Sequence, residues 1–259
     1  MPNKIMLTNI FIIITTSILL TGCTSVDKQK ENFTPDFIVN KYYEAVGGYE
    51  KLKSINTLSK DGHYIEPAYN IIAVAKIQKR RPNYRIIGDI DLVGFEEGYN
   101  GQAWEYHKGR GLILSEGEAK EVILVSSEFD YPFIDAEEKG HEMSYKGLVS
   151  LGGLMAHNIE VIIHVMNSEY ITNFYFDKDS YLLIGQRKVM PIHAVGDDVE
   201  IIVKYSDYRN VNGVLYPFAQ IERREGTGAF LNATIWSKIE ANIEIPLDTF
   251  DPPSEPEID

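Results

Sequence analysis

Six histidines, 38 carboxylates and a single cysteine are the groups in this 259-residue chain best suited to chemistry. Their spacing builds no catalytic or metal centre. None of His63, His107, His141, His157, His164 and His193 pairs with another at metal-ligand spacing. His141-Glu142 begins like a zinc-protease helix, but Tyr145 stands where the second histidine would have to be. His157 and His164 are seven apart, in a predicted loop and strand. No Gly-x-Ser-x-Gly elbow is present for a hydrolase. Gly226-Thr227-Gly228 is a turn without the rest of a phosphate loop. Asp177-Lys178-Asp179 lacks the glycine and closing glutamate of a calcium loop and reads as a hairpin turn. Adjacent pairs such as Glu96-Glu97 and Glu137-Glu138 read as solvated faces. The expectation is that the protein is not an enzyme and needs no cofactor or metal.

Cys23 is different. It follows an uncharged apolar run, residues 10–20, preceded by Lys4. A positive start, a short apolar core and a small-residue exit make a secretory signal peptide. The run is too short to span a bilayer comfortably, which takes roughly 20 apolar residues. Leu20-Thr21-Gly22-Cys23 resembles a bacterial lipobox, in which the cysteine is lipidated and becomes the new N-terminus. Residues 1–22 are therefore expected to be a signal peptide and Cys23 a lipid anchor. Residues 23–33, polar and charged, are the expected flexible tether. Thr24 and Ser25 follow the cysteine without an aspartate, which by familiar sorting rules favours the outer membrane, periplasmic side.

Composition bounds the partners. With 44% hydrophobic residues the chain can build a core. A net charge of −13 repels phosphate backbones, so nucleic acid is excluded as an expected partner. With Cys23 acylated no disulfide is possible, and the domain must stand on packing alone. No second apolar stretch is long enough to cross a membrane.

These residues need elements to position them. Thr34-Pro35-Asp36 opens a helix with an N-cap, a first-turn proline and an acid at the positive dipole end. Ile38, Tyr42 and Ala45, with Val39, Tyr43 and Val46, give it a broad apolar stripe, and Gly47-Gly48 ends it. Strand signals follow at 69–77 and 84–90, with residues 80–83 as a turn between them. Asn100-Gly101 marks a hairpin that leads to Trp104 and Tyr106 on one face. Ser115 and Glu118 fit a capping box for a helix carrying Ala119, Val122 and Ile123. Residues 131–134 form a second apolar piece, a short helix or turn. Six strands then run over 160–166, 171–176, 181–189, 199–205, 214–222 and 230–240. The expected domain, 34–253, is mainly β (α+β): an incomplete antiparallel β-barrel of about ten or eleven strands with covering or lid helices. Residues 254–259 are an expected disordered tail.

Several of these stretches resemble a known family. Residues 79–84 (Lys-Arg-Arg-Pro-Asn-Tyr) and 100–106 (Asn-Gly-Gln-Ala-Trp-Glu-Tyr) look like the paired signature of the LolA/LolB-like outer-membrane lipoprotein-sorting proteins. Thr249-Phe250-Asp251-Pro252-Pro253 resembles the family's closing Phe-x-Pro pattern. Residues 43–48, and Ser206-Asp207-Tyr208-Arg209 with Gly213 and Pro217, resemble a longer lipoprotein branch of the same superfamily. The resemblance implies a half-barrel whose apolar cavity accepts acyl chains. It implies that an arginine of the basic-Pro turn, here Arg81, hydrogen-bonds a lid and holds it shut. Trp104 and Tyr106 are the cavity candidates on the tryptophan strand, and Tyr131, Phe133 and Ile134 are the lid candidates. The implied protein is a monomer that binds lipid acyl chains or lipoproteins while tied to the membrane at Cys23. Two departures stand out: this chain carries its own anchor, and its insert at 115–138 is acidic. A scaffold lipoprotein with a filled interior is the alternative, and an envelope enzyme the third reading.

Overall fold

The structure, a computed structural model, describes residues 33–89, 94–192 and 197–254. The expected signal peptide, Cys23, the expected tether up to residue 32, His193 and the expected tail from residue 255 lie outside the described residues. Three helices and thirteen strands are present among those described. Helix α1 (Pro35–Val46) starts as the sequence predicts: the Phe37 amide donates to Thr34 Oγ1 at 3.2 Å. It buries Ile38, Val39, Tyr42 and Val46. Gly47 ends it at φ +120°, and a Cβ there would fall 2.1 Å from the Gly213 carbonyl, so only glycine fits. Helix α2 (Tyr49–Lys53) leads into the sheet.

The sheet holds β1 (Thr57–Glu66), β2 (Ile71–Arg80), β3 (Asn83–Asp89), β4 (Phe95–Tyr99), β5 (Ala103–His107), β6 (Gly111–Leu114), β7 (Glu142–Leu151), β8 (Leu154–Val165), β9 (Ser168–Asp177), β10 (Leu183–Ile192), β11 (Asp197–Val211), β12 (Val214–Arg224) and β13 (Phe230–Ala241). The spatial order is β6-β5-β4-β3-β2-β1-β13-β12-β11-β10-β9-β8-β7, all twelve neighbouring pairs are antiparallel, and the sheet is not closed. It is an open, incomplete barrel, with thirteen strands where ten or eleven were expected. The additional strands include β6, only four residues long, and β7, whose register slips between Tyr145 and Gly147. Short length and a slipped register both blur the two-residue alternation by which a strand is read.

The topology has one consequence for everything that follows. Strands β6 and β7 are the two free edges, and the chain passes from one to the other through residues 115–141. That connection lies on the concave side of the sheet, where its Val125, Phe129, Tyr131, Phe133 and Ile134 join the main core. It carries helix α3 (Gly117–Ser127), which touches β3, β4 and β5 on one arm and β8 on the other. The expected capping box is replaced: Glu116 is the N-cap without a side-chain cap bond, while Ser115 Oγ donates to Glu105 at 3.0 Å. A hydroxyl drawn to a carboxylate on β5 is not available to a helix amide.

The main core lies on the concave face. It joins α1 to Phe133 and Ile134 of the connection, Ile159 and Val161 of β8, Phe174 and Phe176 of β9, and Trp236 of β13. Burial of such side chains stabilises by roughly 1.5–3 kcal/mol each.

Candidate functional site

Residues 128–141 form a turn-rich segment laid into the concavity. Tyr131 and Phe133 stack at 5.4 Å, nearly parallel. Phe133 then meets Tyr42, Phe174 and Phe176 edge-on at 5.0–5.1 Å, and Tyr131 meets Tyr205 at 6.3 Å. Phe133 and Ile134 are each 1% exposed. The geometry suits aromatic pairs, whose positive edges favour a neighbour's negative face.

Charged side chains tie this segment down. The β2–β3 turn presents Arg81, which donates through both terminal nitrogens to Asp130, at 2.9 and 2.8 Å. Its Nε donates to the Ile55 carbonyl at 3.2 Å, and its guanidinium lies 4.0 Å above the Phe129 ring. A bidentate arginine–carboxylate pair fixes direction as well as distance. Lys53 Nζ adds bonds to Asp130 at 3.0 Å and Asp135 at 2.7 Å. The Asp130 side chain is only 4% exposed, Arg81 30%. Burial raises the Asp130 carboxyl, but hydrogen bonds and charge from Arg81 and Lys53 outweigh it and hold it below the usual range. Lys79 Nζ donates to the carbonyls of Ser126, at 2.8 Å, and Glu128. Lys139 Nζ reaches the Tyr131 carbonyl at 3.1 Å and Glu128 at 3.3 Å, and His141 Nε2 lies 3.2 Å from Glu128.

Four of the six candidate side chains, Arg81, Tyr131, Phe133 and Ile134, thus come together. Trp104 and Tyr106 do not. Cross-strand partners share a face, and Trp104 is aligned through Gly98 with Arg85, whereas the inward row runs through Lys79, Tyr84, Tyr99 and Ala103. The indole therefore lies on the outer face, over Gly98, where a Cβ would fall 2.4 Å from the ring. Its Nε1 donates to the Phe250 carbonyl at 3.0 Å, and Arg85 donates to the Thr249 carbonyl at 2.7 Å. Phe250 sits in a 3-10 turn, Leu247–Phe250, and is fully buried. The Phe-x-Pro ending covers the tryptophan from outside.

Crystal structures of known proteins have the same architecture. A DUF1329 family protein from Desulfovibrio piger aligns with TM-score 0.56 at 12% identity, over 84% of this chain and 95% of that one. A putative outer membrane lipoprotein-sorting protein domain from Vibrio parahaemolyticus gives 0.55 at 12% identity, over 83% and 95%. A LolA superfamily protein from Nitrosomonas europaea gives 0.54 at 9% identity, over 85% and 98%. The fold is LolA-like. No family model and no curated protein matches the sequence.

Within this LolA-like sheet some residues behave unlike their sequence reading. Glu97, expected on a solvated face, points inward; burial pushes its carboxyl up, only partly offset by the Tyr84 hydroxyl at 3.2 Å. His157, expected in a loop, is buried on β8, with Nδ1 3.0 Å from the Tyr145 hydroxyl and its ring stacked on Tyr181. Phe33 packs on that imidazole at 4.6 Å. Asp177 accepts from the amides of Asp179 and Ser180, as a turn aspartate does. The residue missed by sequence reasoning is Asp130. Only its place on the edge-to-edge connection makes it Arg81's partner, and no spacing signals that. Among the described residues there is no group of three or more potential metal-ligating side chains. No helix among them is long and apolar enough to cross a membrane. An open cleft of about 270 Å³ runs between α1 and the segment, lined by Val39, Tyr43, Phe133, Asp135 and Met143. A larger groove of about 490 Å³, bordered by Arg209, Phe218, Lys238 and Ile243, holds none of the expected residues.

Proposed function

We propose that this protein is a membrane-anchored lipid- or lipoprotein-binding protein of the outer-membrane lipoprotein-sorting type. It is lipidated at Cys23, faces the periplasm, works as a monomer and has no catalytic role. The observation that carries this reading is the Arg81–Asp130 pair, which fastens an aromatic segment over the concave face of a LolA-like sheet. Opening the segment withdraws Phe133 and Ile134 and uncovers apolar wall. An acyl chain then takes their place, with about 0.8 kcal/mol gained for each CH₂ removed from water. The shared fold with the Vibrio lipoprotein-sorting domain supports the same cargo class. A tether at Cys23 makes the protein a receiver or holder of chains in preference to a free shuttle.

The test is native mass spectrometry of protein extracted gently from membranes. Bound lipid is expected, with occupancy increased in Arg81→Leu. A lipid-free protein in both cases defeats the reading. A second reading, an interaction scaffold, has its own support on the outer face, where Ile72 and Val74 of β2 and Ile235 of β13 are exposed on the two strands that flank β1. Under that reading the same spectra contain a protein partner and no lipid.

A further inference from the structure

Lys60 lies in β1 on the inward row, aligned with Ile77 of β2 and Ile239 of β13. Its Nζ sits 5.7 Å from the centroid of the Trp236 ring. Trp236 and Ile239 belong to the main core, so the ammonium is set against the apolar wall of the concavity. Among the described residues it has neither an ion pair nor a hydrogen bond. Burial alone pushes it down to about 8. Lys79, two rows along on the same face, feels the Lys60 charge, and burial followed by that repulsion brings it to about 7. Lys79 is occupied by the carbonyls of Ser126 and Glu128, and Arg81 and Lys53 by Asp130. Lys60 is the cation of this group left with neither a carboxylate nor a carbonyl to bond.

An uncompensated ammonium against a hydrophobic wall is expensive for a fold, and a methionine would fill the same place without that cost. In a chain of net charge −13 it is also a local inversion of sign on the concave face. We infer that Lys60 is the polar anchor of the ligand site, and that the site takes an anionic amphiphile: an acyl chain lies along Ala75, Ile77 and Trp236, and its carboxylate or phosphate rests on the Lys60 ammonium. This rests on the acyl-binding reading above and adds the charge of the cargo to it.

The experiment uses the full-length chain and two fluorescent probes of one chain length, a polyene fatty acid and its methyl ester, at pH 7. The acid binds at least tenfold more tightly than the ester in the wild type. Lys60→Met brings the acid down to the ester's affinity, leaves the ester unchanged and does not lower the thermal midpoint. Lys60→Arg keeps the preference. Equal binding of acid and ester by the wild type, or a preference that survives Lys60→Met, overturns the lysine anchor while leaving acyl binding intact. Displacement of the acid by millimolar inorganic phosphate marks a bare anion site and overturns the amphiphile. Failure of both probes to bind overturns the acyl-binding reading and this inference with it.

Discussion

Two segments press against opposite faces of the same sheet, and each inserts a phenylalanine. On the concave face residues 128–141 insert Phe133; on the outer face the C-terminal stretch inserts Phe250. Their apolar anchors are equally buried, so the difference is in the polar ties. The concave segment is held through ion pairs, with Asp130 taking Arg81 and Lys53, and Asp135 taking Lys53 and the Tyr49 hydroxyl, in addition to the Glu128 carbonyl that takes Lys79. Among the described residues the outer segment has no ion pair and is held mostly through its backbone: Arg80 donates to the Ile245 carbonyl, Arg85 to Thr249 and Trp104 to Phe250, while Asp251 takes only the neutral Asn100 amide. A carbonyl cannot be protonated or swapped for another ion, whereas an ion pair responds to pH, salt and competing charge. The same packing is thus a clasp on one side and a latch on the other.

The comparison breaks first, and hardest, at Phe250. Phe250→Ala removes a fully buried ring and is expected to cost about 3–5 kcal/mol in denaturant unfolding. A small loss there would mean that the C-terminal stretch is not structural. Asp130→Asn should cost less, about 1–2 kcal/mol, because Arg81 and Lys53 are each about a third exposed. Its signature is local: hydrogen exchange should quicken in residues 128–141 and stay unchanged in 242–254. Equal quickening in both would erase the distinction.

Protons sharpen the contrast further. The folded Asp130 is held below its unfolded value, near 3.9. Its contribution is therefore present above that value and is lost as pH falls through the folded one, so exchange in the concave segment should rise only in acid, below about pH 4. Lys79 has the opposite bearing. Its folded value of about 7 lies under an unfolded one near 10.4, so the unfolded chain binds more protons between them. Stability should climb as pH rises from about 7 to about 10, and Lys79→Met should flatten that climb; an unchanged slope would refute the assignment. Salt should give the smallest effect. Raising ionic strength to about 1 M, where the Debye length is about 3 Å, should loosen residues 128–141 a few-fold by exchange and leave the outer segment alone.

Much of the fold was legible in the chain. The helix at Thr34-Pro35, the hairpin at Asn100-Gly101 and most strands from 160 onward follow from capping, turn chemistry and alternation, which are local. Strands β6 and β7 were not legible, because four residues and a slipped register carry too little periodicity. The site was half legible. Arg81 stands out through its motif, and Tyr131, Phe133 and Ile134 through their apolarity. Asp130 and Lys60 look like ordinary surface charges until the sheet curls around them.

Local chemistry set the start of α1, most turn positions and the alternation of the longer strands, since each depends on neighbours a few residues apart. What only the tertiary structure decided is which face each strand offers and what covers it. Trp104 and Lys79 lie on rows of opposite sense, and a one-residue difference in register parity sends the first out beneath Phe250 and the second inward against α3. The pairing of β1 with β13 leaves β6 and β7 as free edges, and residues 115–141 join those edges by packing into the concavity, where Asp130 meets Arg81.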